Sequence, residues 1–352
     1  MKRKLLSILM ALVMVIGLLP TVAFAEGDPE IYVGGVGMVS GDYLAEGASA
    51  ADHAKTPAAS DDNYAYYKDG VLTLKNYDYK GDGANGAAIY RGNALEIVLI
   101  GENKLENTSS DGNGITVTNA YLKMRGSGKN DKLTVIAKGA GMLIKSSIVI
   151  EKCSIDFTTG MDGISSEDTL YGRITITNAD VKVKTSETGI YAYNKFSIAD
   201  KSTVDIDAAH YGIFVSNGRE SSTVSGSTLS IDAGKNGIAV RSDVSFTDTE
   251  LTIDAGETGI STNADVSFTD TTELTIDAKE NGISTYDGEV SFTDSTAKIT
   301  AVLNGIFGMS NSEPSSVSVK NSDVEIKSTT TGEKDGDVWA INVSDKFTVD
   351  EV

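Results

Sequence analysis

Tyr191 and Tyr193 stand two residues apart, Phe214 follows one repeat later, and Tyr286 and Phe307 come farther along the chain. Aromatic rings held on a rigid sheet suit the C–H faces of sugar rings, because their contact area is fixed at little entropic cost. Ordinary cross-strand pairing, at about 0.2–1 kcal/mol a pair, accounts for aromatic neighbours equally well. Arg241 falls on the same outward positions and adds a planar, permanently charged donor. A second set is Asp207, Asp232, Asp254 and Asp277, each inside an "Ile-Asp-Ala" unit and accompanied by Ser230, Thr252 and Thr275. Carboxylates on neighbouring strands stand about 4.8 Å apart, close enough to share a cation at calcium-like oxygen distances. Calcium takes about six to eight oxygens, which a flat row does not supply, and screened surface charge explains the same row. The Asp-Gly loops at residues 81–86 (GDGANG) and 110–114 (SDGNG) are weaker calcium candidates, since turns ask for the same residue types.

What must position these residues is a repeat. Residues 250–262 read ELTIDAGETGIST and residues 273–285 read ELTIDAKENGIST. A "Gly-Ile" landmark, or a close substitute, recurs at positions 89, 115, 142, 164, 190, 213, 238, 260, 283 and 306, at intervals of 22–27 residues. A period of that length marks a solenoid. Between landmarks the residues alternate apolar and polar in short, β-branched runs bounded by Gly, Asn, Asp or Thr, which is a strand signature. Three short strands per coil, stacked coil on coil, give an all-β parallel β-helix of about ten coils. Side chains then sit on their equivalents one rung away, so Phe246, Phe268 and Phe292 form one interior stack and Ile253, Ile276 and Ile299 another.

Alternation sorts the outward rows. After each landmark the first outward row includes Tyr191, Phe214 and Phe307, and the second includes Tyr193, Arg241 and Tyr286. The column Asn178, Asp200, Gly226, Asp248, Asp270, Asp294 and Asn321 is set aside as structural. These are the types that tolerate the left-handed conformation a sharp corner needs.

The ends differ from the middle. Lys2, Arg3 and Lys4, an apolar run from Leu5 to Leu19, and Ala23-Phe24-Ala25 make the three-part pattern of a secretory signal peptide, cleaved after Ala25. The expected product is secreted or held at the cell surface, with no membrane insertion. Removing residues 1–25 takes three basic groups and no acidic ones, so the formal charge moves from −20 to −23 (27 basic, 50 acidic). Such a surface repels nucleic acid and anionic lipid. Cys153 is the lone cysteine, which excludes an intrachain disulfide, and its apolar flanks mark it as packed. Residues 26–87 lack the coil repeat and are expected to form an N-terminal β cap with a polar loop, and residues 88–352 the β-helix. Residues 31–35, 64–67 and 70–79 are the strands expected inside that first unit. The unit that starts at Ile306 stretches to Ile341 and contains Trp339.

The run from YYKDGVLTLKNYDY through AAIYRGNALEIVLIGENKLEN to KLTVIAKGAGMLI resembles secreted bacterial carbohydrate-binding-domain-containing proteins. The matching elements are Leu72-Thr73-Leu74 with Asn76, Leu95, Ile97 and Leu99 with Gly101 and Asn103, and Met124 with Gly126 and Gly128. The resemblance covers residues 31–145 at motif level. It implies a right-handed β-helix of the pectate-lyase-like superfamily, displayed outside the cell, often as one module among several; this chain is expected to be a monomer or a module of a larger surface protein. For some relatives it also implies binding of plant polysaccharides, including acidic ones, with calcium; the partner expected for this chain is a polysaccharide, plant cell-wall or host glycan. Fold does not carry function across.

Catalytic patterns are weak. The "NTD", "GHG" and "RIK" segments of polygalacturonases on this fold are missing, the one Asp-Asp pair is Asp61-Asp62, and neither His53 nor His210 has flanking glycines. No Ser-His-Asp, H-E-x-x-H or phosphate-loop motif occurs, so no catalytic residue is assigned. Three readings stay open: a non-catalytic carbohydrate-binding module, a surface adhesin or spacer, and a polysaccharide lyase or hydrolase.

Overall fold

The computed structural model describes residues 28–309, 315–329, 341–342 and 346–350. The expected signal peptide and Trp339 lie outside the described residues. Among those described, every regular element is a strand, and the strands form three sheets of 13, 14 and 11 members. Each coil contributes one strand to each sheet. In one coil these are Ile260–Thr262, Val266–Thr269 and Glu273–Ala278, after which Ile283–Tyr286 opens the next. The protein is a parallel β-solenoid of about ten turns, with the core inside the three sheets.

Stacking in register explains the repeated letters. Glu250–Ala255 pairs residue for residue with Glu273–Ala278, and the landmark column runs unbroken from Ile89 to Ile306 and on to Ile341. Phe246, Phe268 and Phe292 stack in the interior, with ring centroids 5.2 and 5.0 Å apart and planes 10° from parallel. Cys153 is fully buried, and burial pushes its thiol up to about 12. The glycine of each landmark has a steric cause. A Cβ at Gly212 would lie 2.5 Å from the carbonyl oxygen of Gly237 on the next rung, and closer still to Ile231 Cγ2.

The corner column behaves as expected. Asn178, Asp200, Gly226, Asp248, Asp270, Asp294 and Asn321 all have positive φ, between 47° and 58°. Lys152 occupies the same corner at φ 53°, although lysine is not a residue that favours this region.

Antiparallel strands border the first coil. Ile31–Val33 pairs with Val36–Met38 on one side and Ala87–Arg91 on the other. The expected strand at 31–35 stops at Val33 because Gly34 and Gly35 turn at positive φ. Asp42–Ala45, Tyr64–Lys68 and Val71–Lys75 form a meander, the last of which pairs in parallel with Leu95–Ile100. Asp78–Gly81 likewise pairs in parallel with Glu102–Asn107. Parallel stacking therefore begins upstream of residue 88, at strands that precede the first landmark.

Candidate functional site

The first outward row has the register that alternation gives it, with Ser165, Tyr191, Phe214 and Ala239 on consecutive rungs. The rings of Tyr191 and Phe214 meet at 5.7 Å and 53°. A third ring, Tyr211, stacks on Phe214 at 5.0 Å and 22°, and the Lys235 ammonium lies 5.8 Å from the centre of the Tyr211 ring. The Tyr191 hydroxyl donates to Ser216 Oγ at 3.1 Å, which fixes its ring. All three rings are half-buried, while Ser165 and Ala239 on the flanking rungs are buried. The result is an aromatic platform of half-buried rings between two small, buried residues. Asp162 lies at the corner leading into the Ser165 rung, where burial pushes its carboxyl above the usual range against a hydrogen bond from the Thr188 N–H.

Tyr211 is the residue that sequence reasoning missed. It immediately precedes Gly212, in a corner column whose other members before a landmark glycine are Asn113, Ala140, Asp162, Thr188, Asn236, Thr258, Asn281 and Asn304. An aromatic exception in a column of small or polar residues was the available signal. The other expected residues do not join the platform. Tyr193 falls past the strand end over Gly172, where an added Cβ would sit 2.7 Å from the Tyr193 Cβ. Phe307 pairs with Ser284 and Tyr286 with Met309. Phe307 is four rungs from Phe214, roughly 19 Å at the usual strand spacing. Arg241 is exposed beyond the strand Ile238–Ala239. Two more exposed side chains, Leu170 and Tyr171, lie on the loop before Arg173–Thr177, with the Arg173 guanidinium 5.9 Å from the Tyr171 ring. Arg173 and Lys195 both bind Glu220 and hold its carboxyl down to about 2.

The acidic row is also in register: Asp207, Asp232, Asp254 and Asp277 are Cα partners on four consecutive rungs of the third sheet. Lys184 on the preceding rung pairs with Asp207. Earlier coils of this sheet pair several carboxylates with lysine: Lys80 and Lys104 with Glu106, Lys132 with Asp156, Lys129 with Asp180. Among the described residues, no three His, Cys, Asp or Glu side chains gather as metal ligands. A flat row offering carboxylates rung by rung does not by itself make a calcium shell of about six to eight oxygens.

Residues 68–224 match a carbohydrate-binding family model. Its description is "Carbohydrate-binding domain-containing protein". The matched stretch contains Tyr191, Tyr211 and Phe214 and ends before the coils that carry Asp232, Asp254 and Asp277. No curated protein and no solved structure matches the chain. The match suggests a carbohydrate-binding role on a β-solenoid.

Proposed function

We propose that the protein is an exported, non-catalytic carbohydrate-binding β-solenoid that holds a polysaccharide across the first sheet, on the platform of Tyr191, Phe214 and Tyr211. The observation that carries this reading is the platform itself. Strand register and a tilted ring contact place Tyr191 beside Phe214, the Ser216 hydrogen bond holds Tyr191, and stacking on Phe214 holds Tyr211, all inside the stretch similar to carbohydrate-binding domains. Rings already immobilised lose little freedom when a sugar stacks on them. Lys235 and Ser216 at the rim can bond sugar hydroxyls or a sugar carboxylate. Calcium would belong to a different face, the third sheet, where the acidic row supplies some oxygens and an acidic sugar reaching that sheet would supply the rest. The signal-peptide pattern at residues 1–25 supports export.

The test is affinity electrophoresis through gels containing pectin, xylan, cellulose derivatives or mucin glycans. The wild-type chain is retarded by at least one. Replacing Tyr191, Phe214 and Tyr211 together by Ala abolishes that retardation and leaves the melting temperature close to wild type. Unchanged retardation removes the platform from the reading. If every gel is blank and the protein coats cells, the adhesin reading replaces this one. Release of unsaturated uronate products would replace it with a lyase.

A further inference from the structure

The corner between the second and third sheets takes two residues at most coils, such as Gly226-Ser227 and Asp248-Thr249. At two coils it takes three: Asp200, Lys201 and Ser202, then Asp270, Thr271 and Thr272. The longer corners each hold two successive residues at positive φ, Lys201 at 61° and Thr271 at 63° being the added ones. A β-branched residue rarely adopts that conformation. Hydrogen bonds hold both: Lys201 N–H donates to Gly226 O at 2.8 Å and Thr271 N–H to Asp294 O at 2.7 Å. The inward residues on either side keep register, with Val204, Leu229, Leu251 and Leu274 stacked rung on rung. The added residue therefore goes outward, and the two long corners stand as walls over a floor of two short ones.

Between the walls is an open trough of about 500 Å³, into which Lys201, Thr203, Thr228, Asp248, Glu250 and Glu273 face. The walls are three rung steps apart, about 14 Å at the usual strand spacing. Thr203, Thr228, Glu250 and Glu273 are Cα partners in one outward row. The Thr271 hydroxyl, which donates to the Asp270 carbonyl oxygen at 2.6 Å, also lies 3.2 Å from Asp248 Oδ1 and brings that carboxylate close to the far wall. The floor is open at Gly226, where an added Cβ would find nothing closer than Asp248 Oδ2 at 4.0 Å.

The lining selects a ligand chemistry. Hydroxyls and carboxylates recur at the rung interval, no ring is present, and carboxylates are strong acceptors for hydroxyl donors. A pyranose chain lying along the solenoid axis presents hydroxyl donors at close to that interval. Three carboxylates against one ammonium repel a uronate. We propose that this trough is a second saccharide subsite, which takes about two to three neutral pyranose units end-on between its walls. It rests on the carbohydrate-binding reading above but shares no residue with the aromatic platform, and its floor lies beyond the matched residues 68–224.

The experiment is calorimetric titration with xylotriose, cellotriose and mannotriose, and separately with trigalacturonate. The proteins are wild type, Thr228→Trp, Glu250→Gln with Glu273→Gln, and the platform triple-alanine variant. Thr228 faces outward on a strand, so tryptophan fills the trough without entering the core, and a thermal melt checks that each variant folds. A neutral trisaccharide binds wild type and the platform variant alike. Binding falls about tenfold or more in each trough variant, as expected when hydrogen bonds to charged acceptors are lost, and trigalacturonate does not compete. Binding unchanged by Thr228→Trp, or trigalacturonate binding in the trough as well as the neutral sugars, overturns the subsite and leaves the platform standing. Failure of every oligosaccharide and of every gel with wild type overturns both.

Discussion

Replacing Gly212 by Ala tests the stacking rule where it meets the platform. The new Cβ would lie 2.5 Å from the Gly237 carbonyl oxygen, and that oxygen already accepts the Ile213 N–H at 2.9 Å. The carbonyl cannot swing away without lengthening this bond, so relief has to come from separating the two rungs. Overpacking of this kind costs about 3 kcal/mol at the upper end of its usual range. The reduced freedom of the unfolded chain offsets about 0.4–1 kcal/mol. The expected net loss is about 2 kcal/mol, measured by urea unfolding followed by circular dichroism, with Ser261→Ala on an outward position as the control. Coils contact only their neighbours, so hydrogen exchange should rise first in the strands Ile213–Val215 and Ile238–Ala239. Glycan retention should fall as well, because Phe214 leaves its place beside Tyr191. A loss below about 0.5 kcal/mol, the size of an ordinary surface change, would mean the rungs have slack and the landmark glycine has no steric cause.

Four further outcomes follow from particular contacts. Lys152→Asn should stabilise the chain by about 1 kcal/mol in thermal or urea unfolding, since asparagine accepts the left-handed corner better than lysine; a loss of stability would show that the lysine side chain contributes there. Glu220 has a folded pKa of about 2 against an ordinary 4.5, so its contribution is present above pH 4.5 and is lost as pH falls from there toward 2. The wild-type minus Glu220→Gln stability difference should shrink across that window, and shrink further in high salt, because the partners are a third exposed. Asp254→Asn should raise stability by about 0.2–1 kcal/mol at low salt by relieving like charges on adjacent rungs; a calcium-dependent loss instead would reveal a cation held there. Cys153 should resist thiol reagents in the native chain and react once urea unfolds it, and native labelling at neutral pH would show that the coil opens.

The interior was legible because its constraint is local and periodic. The Phe246–Phe268–Phe292 stack, the glycine landmarks and the Asn/Asp/Gly corners each repeat a requirement that one residue type satisfies. Lys152 was not legible, because its conformation is imposed by the coils above and below it rather than favoured by the residue. The platform was half legible: alternation placed Tyr191 beside Phe214, but Tyr211 sits on a corner whose direction alternation does not fix. Alternation assigns Tyr193 and Arg241 to the strand, whereas the strands end at Ala192 and Ala239 and the chain turns away. The trough walls were written in the spacing of inward residues, Ile198 to Val204 and Phe268 to Leu274 being one longer than Val224 to Leu229. A single extra letter in a degenerate repeat stands out only once its neighbours are aligned through space.

The three-residue corners have a consequence for how such a chain can change. Because the added residue is accommodated outside the stack, deleting Lys201 or inserting one residue after Asp248 would shift a wall by whole rungs while the packed interior keeps its partners. The length of cleft available to a guest is then a discrete variable, set by which corners carry the spare residue. Lineages could diverge in ligand size through insertions and deletions of one codon, without compensating substitutions among the buried isoleucines and phenylalanines.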